Sequence, residues 1–214
     1  MSAVLDPTIQ APTEPGIYPN VPLEDYLRWP YASHSLLVTM RDRSPAHAKE
    51  ERENPKPPTQ AQRIGDAVHR AILQPDLFEI EFARGIEGDR RTKAVRDGWA
   101  ALEAQHPNAT ILTPSEYDLC LRMRDAVWSH PFASKLLTKE TERSVVWRDR
   151  STGVLCKGRF DCINRRGKAI IDLKSTMDAH PKRFSRDIYT YGYFLQGAHY
   201  LMGAAEVGID AELF

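Results

Sequence analysis

Apolar positions follow two different periods along this 214-residue chain. Helical spacing dominates the first two thirds. In QRIGDAVHRAILQP, Ile64, Ala67, Val68, Ala71 and Ile72 share one helix face, and Pro75 stops the pattern. A helix opening near Ser33 or Ser35 runs through LLVTMRD and stops before Ser44-Pro45. Residues 89–105 predict a polar helix with Arg90, Arg91, Lys93 and Arg96 early in it. Residues 114–129 predict another, begun by Pro114-Ser115-Glu116. Prolines punctuate the rest: Pro7, Pro12, Pro15 and Pro19 predict an extended start, and ENPKPPTQ (53–60) a loop. Beyond residue 140 the period shortens to two. SVVWRD, GVLCKGRFDCI and KAIIDLK, separated by the turn sequences RSTG and NRRG, predict a three-stranded antiparallel meander. A last helix covers roughly 189–205. Gly192, Gly197 and Gly203 weaken it intrinsically, so close packing has to sustain it. Helices, then a meander, then a helix predict a mixed α+β (α/β) fold: a central sheet flanked by helices.

Composition adds a constraint. Lys and Arg total 29, and so do Asp and Glu, which excludes a uniformly basic nucleic-acid binder. The sum hides a skew, because residues 141–190 carry 12 basic side chains against 6 acidic ones. That basic window coincides with the meander. Cys120, Cys156 and Cys162 lack metal-ligand spacing and read as small buried hydrophobes in a reducing cytoplasm. The N-terminus lacks the cationic start and apolar run of a signal peptide, and no apolar run is long enough to span a membrane.

The meander carries the candidate chemistry. Alternation puts Val154, Cys156, Gly158, Phe160 and Cys162 on one face of the middle strand, and Lys157, Arg159 and Asp161 on the other. A two-residue loop at Arg166-Gly167 would pair Arg165 with Lys168. Asp161 then lies opposite Asp172, Arg159 opposite Lys174, and Cys162 opposite Ile171. Two carboxylates directly opposite one another repel, and a divalent cation between them relieves that. Hard oxygen donors without cysteine point to Mg²⁺ or Mn²⁺. Lys174, on the face of Asp172, is placed to support a metal-bound water or charge developing on phosphorus. Lys157, Arg159, Arg165, Lys182, Arg183 and Arg186 are candidate phosphate contacts, and Glu142, before the meander, is a candidate auxiliary acid.

Asp161 followed eleven residues later by Asp172-Leu173-Lys174 resembles the signature of the PD-(D/E)XK nucleases. Ile64-Gly65-Asp66-Ala67-Val68-His69 resembles the GxxxH helix of the RecB-like and RecE-type branch, and Gln196-Gly197-Ala198-His199-Tyr200 its QxxxY helix. Ser33-His34-Ser35-Leu36 and Ser44-Pro45-Ala46-His47 resemble the opening helix of RecE-type exonucleases, such as exonuclease VIII and phage-encoded relatives. Each piece is weak alone; their combined order is specific.

The resemblance implies a restriction-endonuclease-like core in which His69, Asp161, Asp172 and the Leu173 carbonyl hold the metal. It implies a catalytic set of Asp161, Asp172, Lys174 and His69, with Gln196 and Tyr200 bordering the site and meeting the DNA backbone. Gly65 would let its helix approach the sheet closely, while His180 and His199 are expected to be structural. The expected activity is Mg²⁺-dependent, ATP-independent exonucleolytic resection of linear double-stranded DNA for single-strand-annealing recombination. The expected partners are an annealing protein and further copies of the chain in a ring. Neither an iron–sulfur cluster nor a nucleotide is expected. The alternatives are a non-catalytic DNA-binding or assembly module on this fold and an endonuclease of the same superfamily. The expected organisation is an extended arm over 1–30 and one nuclease domain over 31–214, truncated at its C-terminus.

Overall fold

The computed structural model describes residues 10–214. Part of the expected arm, residues 1–9, lies outside the described residues. Within the rest of that arm, strand β1 (Gly16–Tyr18) and helix α1 (Leu23–Arg28) form. Helix α2 (His34–Asp42) follows, capped by the Ser33 side chain, then α3 (Pro45–Glu53), capped by Ser44. The middle of the chain folds as α4 (Gln60–Leu73), α5 (Pro75–Glu81), β2 (Phe82–Arg84), α6 (Lys93–Gln105), β3 (Thr110–Leu112), α7 (Pro114–Ser129) and α8 (Ala133–Leu136). The meander is β4 (Thr141–Arg148), β5 (Leu155–Asn164) and β6 (Ala169–Ile171), and α9 (Pro181–Thr190) and α10 (Tyr193–Glu206) close the chain. This is the mixed α/β architecture that the periodicities predict.

Contacts divide the chain into two compact units. The first contains the segments before Pro57, 137–172 and 176–214. Its sheet has the order β1-β4-β5-β6, and neighbouring strands pair antiparallel. α10 packs on this sheet through Tyr200 and Ala204, which join Val145, Trp147, Phe160, Ile163 and Ile170 in one core. Its glycines explain themselves here. A Cβ at Gly203 would lie 2.7–2.8 Å from carbons of the Trp147 ring, and one at Gly197 2.7 Å from the Phe214 ring. Gly192 sits at φ +68 between α9 and α10 and breaks the single helix expected over 189–205.

The second unit contains 57–136 together with Leu173–Ser175. α4 begins with a reciprocal capping box between Thr59 and Gln62 and buries Ala67, Val68, Ala71, Ile72 and Leu73 on the face that the periodicity marks. The Trp128 indole of α7 donates to the Ile72 carbonyl at 3.2 Å, and Phe78 packs between Phe82 and Tyr117. β2 and β3 form a short parallel pair. α6 starts only at Lys93, so Arg90 and Arg91 precede it. Among the described residues no helix is long and apolar enough to cross a membrane.

Candidate active site

Two turns set the register of the meander. Between β4 and β5, Gly153 adopts φ +72, and its N–H donates to the Asp149 carbonyl at 2.8 Å. Hydrogen bonds from Ser151 and Thr152 hold the Asp149 carboxyl down at about 2. This turn pairs Arg148 with Leu155, and the ladder continues through Arg143↔Phe160 and Thr141↔Cys162. Between β5 and β6, the Gly167 N–H donates to Asn164 Oδ1 at 2.7 Å, and Lys168 adopts φ 48. The loop spans four residues, 165–168, rather than two. The register is nevertheless the expected one, with Cys162↔Ile171, Ile163↔Ile170 and Asn164↔Ala169.

The ladder stops one step short of the expected carboxylate pair. β6 ends at Ile171, so Asp172, Leu173 and Lys174 are not strand residues, and Arg159 has no cross-strand partner in Lys174. Asp172 instead turns to α10, where Gln196 Nε2 donates to its Oδ1 at 2.8 Å. A neutral amide donor thus meets one oxygen of this half-buried carboxylate, whereas a second carboxylate directly across the ladder would repel it.

The residue placed opposite Asp161 is Glu142, flanked by the pairs Thr141↔Cys162 and Arg143↔Phe160. Carboxylate oxygens of Glu142 and Asp161 lie within 4.8 Å of each other. Glu142 adopts φ 52, a left-handed conformation costing of order 1–3 kcal/mol in a non-glycine residue, and such strain clusters at functional sites. Arg159 Nε donates to Glu142 Oε2 at 2.5 Å, and the two side chains are only 10% and 11% exposed. The same guanidinium donates to the Val21 carbonyl and to Ser144 Oγ. Arg159 thus fixes Glu142 beside Asp161. It is too enclosed for the phosphate contact expected from its sequence position.

Gln196 and Tyr200 do lie together with the carboxylates, but both are buried rather than presented to a DNA backbone. Tyr200 packs on Phe160 at 4.7 Å and edge-on to Phe214. Burial first, then the charges of Tyr26, Asp172 and Asp161, push its hydroxyl well above the usual tyrosine range; the Gln196 hydrogen bond pulls the other way. Tyr200 therefore serves as a core aromatic whose hydroxyl faces the acidic cluster, and Gln196 positions Asp172.

The expected phosphate contacts divide. Lys157 is 5% exposed, and its ammonium donates to the carbonyls of Tyr26, Leu27 and Trp29 at 2.7–3.1 Å. These are carbonyls at the C-terminal end of α1, where a helix carries partial negative charge; that of Tyr26 also accepts the Trp29 N–H at 3.2 Å. Lys157 is therefore a structural cap and not a DNA contact. Arg165 is exposed but forms a two-pronged ion pair with Glu140. Lys182, Arg183 and Arg186 are exposed on α9. His180 accepts from the Lys182 N–H as a helix cap, and His199 bonds the Lys157 carbonyl, both structural as expected.

In the second unit, His69 stands half-buried on α4. Leu173 and Lys174 belong to the segment Leu173–Ser175 of that unit. A Cβ at Gly65 would meet Ser175 Oγ at 3.5 Å, an ordinary contact, so α4 runs beside this segment without strictly requiring glycine there.

The part played by Glu142 was the feature least visible in the sequence. Its signal was the RSTG turn, which sets the β4–β5 register and hence the partner of Asp161. The donor set suits a hard divalent cation. Two carboxylate oxygens within 4.8 Å can share one ion at bond lengths of about 2.0–2.6 Å, and no thiolate is among them. A family model described as a PDDEXK-like domain of unknown function (DUF3799) matches residues 33–208. No curated protein matches the chain.

Proposed function

The chain belongs to this PDDEXK-like family, and from that membership we propose that it is a Mg²⁺-dependent deoxyribonuclease that degrades linear duplex DNA from its ends without ATP. The observation that carries the proposal is Glu142 held by Arg159 opposite Asp161, with Asp172 held by Gln196 in the same unit. Asp161, Glu142 and Asp172 would hold the ion, joined by His69 and the Leu173 carbonyl in the pattern that the GxxxH and DLK residues follow. Bound there, the ion would polarise a phosphoryl oxygen and make a coordinated water more acidic. The Lys174 ammonium would orient the attacking water and stabilise the charge gathering on the phosphoryl oxygens. The water oxygen forms the new bond to phosphorus, the ester P–O bond opposite it breaks, and the leaving oxygen takes up a proton. Arg159 and Gln196 hold two carboxylates in place before substrate arrives, and such pre-positioning lowers the barrier.

Purified protein, incubated with end-labelled linear duplex and Mg²⁺ beside the Lys174→Ala variant, tests this. The wild type should shorten the duplex and the variant should not. Equal degradation by both would sink the assignment. Cleavage of covalently closed circles would make the protein an endonuclease instead. A chain that binds no Mn²⁺ by calorimetry yet still binds DNA in EDTA would be a non-catalytic binding module. Glu142→Gln should weaken Mn²⁺ binding while leaving the far-ultraviolet circular dichroism unchanged. An annealing-protein partner and a ring of copies belong to the same proposal and would be read from co-purification and from sedimentation.

A further inference from the structure

The surface formed by α9 and the start of α10 carries the expected phosphate contacts Lys182, Arg183 and Arg186 but takes no part in the hydrolytic step. α9 turns Phe184 and Ile188 inward, half-buried, and leaves Lys182, Arg186 and Tyr189 on one exposed stripe at spacings of four and three residues. Tyr189 is 77% exposed and stacks on Phe194, itself 51% exposed, with centroids 6.1 Å apart and planes 22° from parallel. The Arg41 guanidinium sits 5.4 Å over the Phe194 ring. Beside this pair, the exposed Tyr191 stacks on Tyr193 at 5.7 Å and 29°. Three of these four rings, Tyr189, Tyr191 and Phe194, are exposed, and stacked rings gathered there form a patch of the kind that marks an interaction site rather than scattered surface apolarity.

Charge and position say what covers it. Arg41 and Arg183 have carboxylate partners in Asp42 and Asp187. Lys182 and Arg186, on the same stripe as Tyr189, make no ion pair among the described residues. Protein–protein interface cores are depleted in lysine, whereas uncompensated cations interleaved with stacked rings suit a polyanion with flat bases. The patch also adjoins the acidic cluster. Tyr193 and Phe194 open α10. One turn along α10, Gln196 donates to Asp172.

We propose that this surface is a platform for single-stranded DNA. Bases stack on Tyr189, Phe194 and Tyr191, phosphates meet Lys182 and Arg186, and an unpaired strand is held beside the carboxylates. The inference rests on the deoxyribonuclease reading but concerns binding alone, so it is tested without metal.

Fluorescence anisotropy of the full chain in EDTA should compare a labelled oligo(dT) of about 20 nucleotides, an abasic strand with the same phosphates, and a blunt duplex. The wild type should prefer oligo(dT) to the abasic strand by about tenfold or more, as expected for base–aromatic stacking. Tyr189→Ala with Phe194→Ala should remove that preference while leaving duplex and abasic binding within about twofold. Tyr189→Trp with Phe194→Trp should restore it. Lys182→Ala with Arg186→Ala should flatten the log–log salt dependence on oligo(dT) by about 1.4, the slope carried by two phosphate contacts on a single strand.

Equal loss on all three probes, or no loss on oligo(dT), would overturn the platform. So would dissociation of an oligomer by the Ala pair with oligo(dT) affinity unchanged, which would make the patch a contact between copies. A wild type that binds duplex but not oligo(dT) refutes the platform and leaves the nuclease reading standing. One that binds no probe refutes both.

Discussion

Replacing Lys157 by methionine separates a structural cation from a DNA contact. Methionine keeps the apolar stem but removes the ammonium that holds the carbonyls of Tyr26, Leu27 and Trp29. The Tyr26 carbonyl retains the Trp29 N–H at 3.2 Å, so the loss falls on the other two. Leaving a buried acceptor unsatisfied costs about 1–3 kcal/mol each. Against this stands relief from burying an ammonium, which costs several kcal/mol before its hydrogen bonds are counted. The net expected destabilisation is about 2 kcal/mol, or about 1 M in the urea midpoint at an m-value near 2 kcal/mol/M. DNA affinity and its salt slope should be unchanged, since the side chain is 5% exposed. A second readout is pH. Burial, and then the Arg52 charge, pull the ammonium's pKa down from 10.5 to about 8. Between those values the unfolded chain binds a proton that the folded chain has released, so wild-type stability should rise with pH across that window. The Lys157→Met protein lacks that rise. An unshifted urea midpoint together with a reduced salt slope would refute the reasoning and return Lys157 to the DNA-binding set.

Gln196→Leu removes the donor to Asp172 Oδ1 and should lower the DNA cleavage rate by about tenfold with little change in duplex affinity, the mark of a positioning role; an unchanged single-turnover rate would count against it. Gly203→Ala drives a methyl to within 2.7–2.8 Å of Trp147 carbons and should cost about 1–3 kcal/mol, seen as a lowered melting temperature by calorimetry. A melting temperature equal to the wild type's would mean that α10 shifts freely on the sheet.

Much of the candidate site could be read locally. The NRRG turn gave the β5–β6 register, and the order of His69, Asp161, Asp172-Leu173-Lys174 and Gln196 with Tyr200 pointed to the PDDEXK-like family. The helices missed at α3, α5 and α9 have one cause. Each begins with proline at its first turn, at Pro45, Pro75 and Pro181, and a residue that ends one helix is also well suited to start the next.

Alternation placed Lys157, Arg159 and Asp161 on one strand face correctly, because side-chain direction is a property of the strand itself. Which of them meets solvent is not. That depends on α1 and the turn before it, more than a hundred residues earlier, where the carbonyls of Tyr26 and Val21 take up Lys157 and Arg159. Likewise the sequence marks Asp161 and Asp172 as acids on neighbouring strands. Only the folded chain ends β6 at Ile171, gives Asp172 to Gln196 and sets Glu142 opposite Asp161. Periodicity and turn chemistry are encoded within a few residues. The cover over a face and the end of a ladder are decided by distant segments that compete for the same polar groups.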